Sequence, residues 1–85
     1  MMENVKLLIL MNGQILVSQI DEVPSELGEP DCKLTQPYEV VNKEFLEPWY
    51  GDYTLRGVFM IHSTNIITIT DPKPTLLEKY QTLIK

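Results

Sequence analysis

Leu55-Arg56-Gly57-Val58-Phe59-Met60-Ile61-His62-Ser63-Thr64-Asn65-Ile66-Ile67-Thr68-Ile69-Thr70 is the stretch on which the fold turns. Two β-rich runs flank a short polar break at Ser63, Thr64 and Asn65. In the first run Leu55, Gly57, Phe59 and Ile61 alternate with Arg56, Val58, Met60 and His62; the second is dense in Ile and Thr. β-Branched and aromatic residues on a period of two, broken by small polar turn formers, read as a tight hairpin. A matching signal lies at the other end, where Asn12-Gly13 separates apolar runs at 5–11 and 14–20. Asn-Gly is a strong hairpin mark because the tightest turns need a positive φ at both positions.

Working outward from these two anchors, the pattern predicts strands at 5–11, 14–22, 32–41, 53–63 and 65–70. Alternation places Leu7, Ile9, Ile15, Val17, Leu34, Phe59, Ile61 and Ile67 in the core. Residues 23–31 hold two prolines, a glycine and three acids, and read as a loop. Residues 43–52, with Phe45, Leu46, Pro48, Trp49 and Tyr50, read as a second loop. The tail changes period: Leu76, Leu77, Tyr80, Leu83 and Ile84 share one helical stripe, so a helix is expected at about 72–84. It would start at Asp71-Pro72, or at Thr75 with a capping box to Glu78. Its apolar face must cover an open barrel end or a neighbouring subunit. The whole, 1–85, reads as one domain with its strands within 5–70.

A chain of 85 residues buries only about 60–65% of its unfolded surface, which makes a lone core marginal. The single cysteine, Cys32, has no internal partner, and its place in an alternating strand reads as a small buried hydrophobe. Twelve acids against seven bases leave a net charge of −5. That balance disfavours a general phosphate-binding surface and favours solubility. The apolar run before Asn12 is far shorter than the roughly 20 residues of a membrane span and lacks a cleavage site. A cytoplasmic protein without membrane contact is expected.

No catalytic constellation assembles. Ser18, Ser25 and Ser63 share a single histidine in the whole chain, and no nucleophile motif surrounds them. Gly-rich phosphate loops and metal-ligand clusters are absent, and the acids of 21–31 lack the spacing of a calcium loop. The chain is therefore read as a non-enzyme with no cofactor and no metal.

The two anchors carry a resemblance. Leu8-Ile9-Leu10-Met11-Asn12-Gly13-Gln14-Ile15-Leu16-Val17 resembles the start of the first motif of the Sm-like family. Ile61-His62-Ser63-Thr64-Asn65-Ile66-Ile67-Thr68-Ile69 resembles the second, in which an apolar residue, Arg-Gly and a short turn lead into an apolar strand. With Cys32-Lys33-Leu34 as a third strand, the likeness covers most of 5–70. A narrower one, to small Sm-like proteins of tailed phages of marine cyanobacteria, rests on Asp31-Cys32-Lys33-Leu34, Pro37-Tyr38-Glu39 and Thr64-Asn65-Ile66-Ile67. It would place the protein in a host cytoplasm. The departures are specific: the helix comes last rather than first, His62-Ser63 replace Arg-Gly, and the first motif's base-receiving aromatic and Asn have no counterpart in 21–31.

The resemblance implies an all-β, five-stranded, strongly bent antiparallel open barrel of Sm-like (SH3-like) type, here with a C-terminal helix. It also implies a homo-oligomeric ring of about five to seven subunits, strand four of one pairing with strand five of the next. Val58, Met60, Ile61, Ile66, Ile67 and Ile69 would form that interface. Single-stranded RNA would then be bound weakly at the pore or rim through His62, Ser63 and Asn65. Each has a competing structural reading: His62 as a rim residue at a strand end, Asn65 as a turn former. The other functional reading is a protein-binding or structural ring with no nucleic-acid role. In it, Phe45, Trp49 and Tyr50 receive a partner, since aromatic anchors are enriched at interfaces; the competing structural reading folds their loop back over the barrel's own end.

Overall fold

The computed structural model describes residues 4–42, 45–55 and 57–84. They form six strands and one helix: β1 (Val5–Leu10), β2 (Ile15–Glu22), β3 (Cys32–Asn42), β4 (Phe45–Pro48), β5 (Val58–Ile61), a 3-10 turn (Ser63–Asn65), β6 (Ile66–Thr70) and α1 (Pro74–Leu83). All pairings are antiparallel, in the order β4-β3-β2-β1-β6, with β5 also on β3. The molecule is an all-β open barrel with a C-terminal helix. It has six strands where five were expected, because the segment 45–48 pairs with β3 through Val40↔Leu46 and Tyr38↔Pro48. Pro48 and the bulky aromatics there suggested a loop, yet Pro48 ends an edge strand, where a missing N–H costs no internal bond.

The Asn12-Gly13 hairpin forms, but not with the two-residue turn its sequence suggests. Ile9 pairs with Ile15, and Gly13 N–H returns to the Leu10 carbonyl at 2.9 Å. Only Gly13 takes a positive φ, of 89°. This is the three-residue loop closed by a left-handed glycine. Asn12 serves through its side chain instead, its Oδ1 accepting Gln14 N–H at 2.9 Å.

The stretch 55–70 is not a hairpin. β5 covers only 58–61 and pairs with β3 (Phe59↔Leu34), while β6 crosses to β1 (Leu8↔Ile69). The 3-10 turn between them redirects the chain. Asn65 N–H donates to the His62 carbonyl at 3.0 Å, and Met11 N–H donates to the Asn65 carbonyl at 2.8 Å, drawing β6 to the far side of the sheet. Among the described residues no ladder joins β5 to β6, so the barrel is open between them.

Strand β3 bends where its partner changes. It pairs with β5 through 32–35 and with β4 through 38–42, both on the edge opposite β2. Between them Gln36 takes a φ of 52°, and its N–H meets the carbonyl of Gly57 (φ 62°) at 2.6 Å. The extra residue flips the alternation. Leu34 faces the barrel interior with Leu8, Leu10 and Leu16, whereas Tyr38 and Val40 face the opposite side with Val5 and Val17.

That second side is covered by α1, which starts with Pro74 in its first turn, after an uncapped Lys73. Proline suits this position because its absent N–H would have had no helical partner. Of the expected stripe, Tyr80, Leu77 and Ile84 dock on Val5 and Val17, whereas Leu76 is outside that cluster and Leu83 is exposed. The core register differs from the expected one. In β1 the interior residues are Leu8 and Leu10, with Leu7 and Ile9 half-buried; Ile15 and Ile67 are exposed. β1 is apolar on both parities, so alternation by itself did not say which face was inside.

Candidate functional site

The 3-10 turn brings two chemically different surfaces together. On one side it abuts the acidic segment between β2 and β3. The Asp31 carboxylate accepts Ser63 N–H at 2.7 Å and the Ser63 hydroxyl at 2.8 Å. The backbone N–H, then the hydroxyl, hold the Asp31 carboxyl below its usual range, with a smaller contribution from His62. A cleft of about 550 Å³ runs between Glu26, Glu29, Asp31, His62, Ser63 and Thr64. His62 and Ser63 thus share their space with three acids, and the Ser63 hydroxyl already has a carboxylate partner. A phosphate approaching here meets repulsion.

On the other side, Asn65 and Ile61 line a smaller cleft, of about 230 Å³, with Leu10, Met11, Asn12 and Trp49. None of these side chains is charged. Trp49 closes the barrel interior against Leu10, Leu16 and Leu34. Its indole N–H donates to Gln14 Oε1 at 3.2 Å, and Asn12 Nδ2 donates to the same oxygen at 2.9 Å. The ring contacts run Phe59–Trp49–Tyr50–Tyr53, with centroids 5.0, 5.0 and 6.4 Å apart. Phe45, exposed at the start of β4, takes no part in that chain of rings. Of the three aromatics singled out from the sequence, Trp49 faces inward, while Tyr50 and Phe45 are exposed. Tyr53, Asn12 and Gln14 join the site without having been singled out: turn residues carry no signal of the side chain they will meet.

A family model matches residues 3–85. The chain belongs to DUF6561, a family of unknown function. No functionally curated protein matches it.

The edges of this DUF6561 barrel carry the remaining candidates. β5 has its only ladder with β3, and β6 its only ladder with β1, among the described residues. Val58 and Met60 point away from the interior at 43% and 48% exposure, and Ile67 is 60% exposed. Ile69, opposite Leu8, lies at the open mouth of the barrel beside Lys6, Ile20, Cys32 and Ser63. Ile61 and Ile66 pack inward on the leucine cluster. The six interface candidates therefore divide into outer residues and core residues of the two edge strands.

Cys32 is buried in the DUF6561 chain, and burial, then the charges of Asp31 and Glu22, push its thiol up. An activated cysteine needs the opposite shift. Among the described residues, no three His, Cys, Asp or Glu side chains converge to hold a metal, and no helix is long and apolar enough to cross a membrane.

Proposed function

We propose that this chain is a non-catalytic, Sm-like, ring-forming protein of the cytoplasm, or of a host cytoplasm if phage-encoded. The observation that carries the proposal is the pair of unpaired edges at the open seam. β5 and β6 each present a row of backbone donors and acceptors beside half-exposed apolar side chains. Natural proteins cover or pair such edges. A second copy supplies the missing partner: β5 of one subunit against β6 of the next continues the sheet and joins Val58 and Met60 to Ile67. The contact is head-to-tail, and it closes into a ring when the rotation permits, with about five to seven subunits by resemblance. Light scattering at micromolar concentration tests this. The native chain should be oligomeric, and Ile67→Lys, which changes an exposed side chain, should give a folded monomer. A monomeric native chain would end the proposal.

Within the ring, weak binding of single-stranded RNA at the rim is the first functional reading, supported by the likeness of 61–69 to the second Sm-like motif. The acids beside His62 call for a shallow salt dependence, with about one or two phosphates neutralised per subunit. The same acids, with exposed Phe45 and Tyr50, favour the second reading, a protein-binding or structural ring. Failure of both uridine- and adenine-rich oligonucleotides to bind at low salt decides for the second.

A further inference from the structure

We infer that the segment 49–55 is an arm that docks on Pro72-Lys73-Pro74 of the next copy of the chain. This rests on the ring reading above and goes beyond the strand pairing proposed there. β4 and β5 are two halves of one interrupted edge: both pair with the same side of β3, and the chain leaves that edge between them at 49–55. The arm is built, not slack. Tyr53 N–H donates to the Tyr50 carbonyl at 3.0 Å, the two rings stand 6.4 Å apart, and a Cβ at Gly51 would lie 2.8 Å from Pro48 Cβ. Tyr50 is held at a φ of 51°, where a residue other than glycine is rare. Yet the tip covers nothing in its own subunit: Tyr53 is 86% exposed, Leu55 is fully so, and neither belongs to a core cluster.

At the other edge of the sheet, β6 runs into Asp71-Pro72-Lys73-Pro74. Lys73 has φ −62° and ψ 150°, polyproline II values, and Pro74 is exposed. Every ladder among the described residues is antiparallel. The same sense across the seam sets Val58 of one subunit toward Ile69 of the next, and Ile61 toward Ile66. Residues just before β5 then face residues just after β6, so Tyr53 and Leu55 meet Pro72 and Pro74. Aromatic side chains suit that segment, because a polyproline II helix is preformed and loses little entropy on docking. Charge agrees. Asp52 in the arm's turn and Lys73 between the prolines are both exposed, and neither has an ion-pair partner among the described residues.

Mixed single-site variants test this contact. Tyr53→Cys chains and Pro74→Cys chains, each changed at an exposed position, are assembled together and treated with a short bismaleimide. Cross-linked dimer should form in the mixture and not in either variant alone, since the shared Cys32 is buried. Tyr53→Ser combined with Leu55→Ser should keep the native circular dichroism and raise the concentration of half-dissociation in light scattering about tenfold. Asp52→Lys and Lys73→Asp should each weaken assembly, and the two combined should restore it, which mere loss of fold would not do. If the native chain is oligomeric, the mixture cross-links no more than the single variants, and the serine variant assembles as the native chain does, the contact is wrong and the ring reading stands. A monomeric native chain removes the ring reading and the inference together. If a labelled peptide of residues 70–76 binds the intact oligomer without dissociating it, the arm is open there, and its occupant is a foreign proline-rich segment and not a second copy.

Discussion

The barrel interior and the face beneath the helix are both buried, but they are built by different rules. The interior joins Leu8, Leu10, Leu16 and Leu34, with Phe59, Ile61 and Ile66 around them. These seven sit on strands and bring no polar side-chain atom; Trp49, just past the end of β4, closes the interior with its one polar atom bonded to Gln14. The helix side joins Val5, Val17 and Tyr80, with Tyr38 meeting Tyr80 edge-on at 5.8 Å. Here the sheet is irregular: the β2–β3 register shifts between Val17 and Gln19. Backbone groups freed by that shift must find partners inside the protein. The Tyr80 hydroxyl accepts Gln19 N–H at 3.3 Å and lies 2.9 and 3.2 Å from the carbonyls of Gln36 and Thr35. The buried Ser18 hydroxyl reaches the carbonyls of Gln19 and Thr35 at 2.8 and 3.2 Å. One face is held by volume; the other is held by volume and by satisfied polar groups at a bend.

Tyr80→Ala should be the most damaging change, since it leaves a cavity and strips the bulge of its partner. About 3–5 kcal/mol of stability should be lost in urea unfolding, most of it as cavity cost. Leu34→Ala tests the apolar face alone and should cost about 2–5 kcal/mol. A smaller loss at Tyr80 than at Leu34 would break the comparison, because the helix would then be an accessory and not half of the core. Tyr80→Phe separates volume from polarity. It keeps the ring and removes the hydroxyl, so about 1–3 kcal/mol should disappear, with faster amide exchange at Gln19 as the signature. An unchanged Gln19 exchange rate would show that the bulge needs no partner from the helix.

The smallest effect lies outside both faces, at Asp31 and Ser63. The carboxyl is held below its usual range, so its contribution is complete above about pH 4, its ordinary titration range, and is lost as acid protonates it below that. Asp31 is only partly buried and lies at the surface, so the thermal midpoint should barely move in Asp31→Asn. The Ser63 amide should exchange faster in that variant at neutral pH, and in the native chain only under acid. Equal protection in both would mean that the 3-10 turn stands without the carboxylate.

Much of the strand pattern was readable because period-two runs and polar breaks are local. β1, β2, β3 and β6 lie close to where the alternation put them, and the stripe Leu77, Tyr80, Ile84 docks as a helix face should. Two errors have a common cause. The 55–70 stretch read as a hairpin because its two runs are adjacent in sequence, while their real partners, Cys32–Asn42 and Val5–Leu10, are distant. Leu7 and Ile9 read as core because β1 is apolar on both parities and the helix that uses its second face lies some 70 residues on. At the candidate site, His62, Ser63 and Asn65 were singled out together, yet they divide between an acidic cleft and a neutral one. Trp49 does lie in a turn, and of the two readings left open for its loop it takes the one that folds back on the barrel.

The sequence by itself determined that this is an antiparallel β protein with a terminal amphipathic helix, because strand alternation, turn chemistry and helical spacing act within a few residues. Tertiary structure decided which face of each strand is inside, which strand partners which, and what each side of the 62–65 turn confronts. Those outcomes depend on the positive φ at Gln36, which flips β3, and on Tyr80, which satisfies the bulge from the far end of the chain. Neither changes the local pattern. Both are settled only when distant backbone groups are brought into hydrogen-bonding reach.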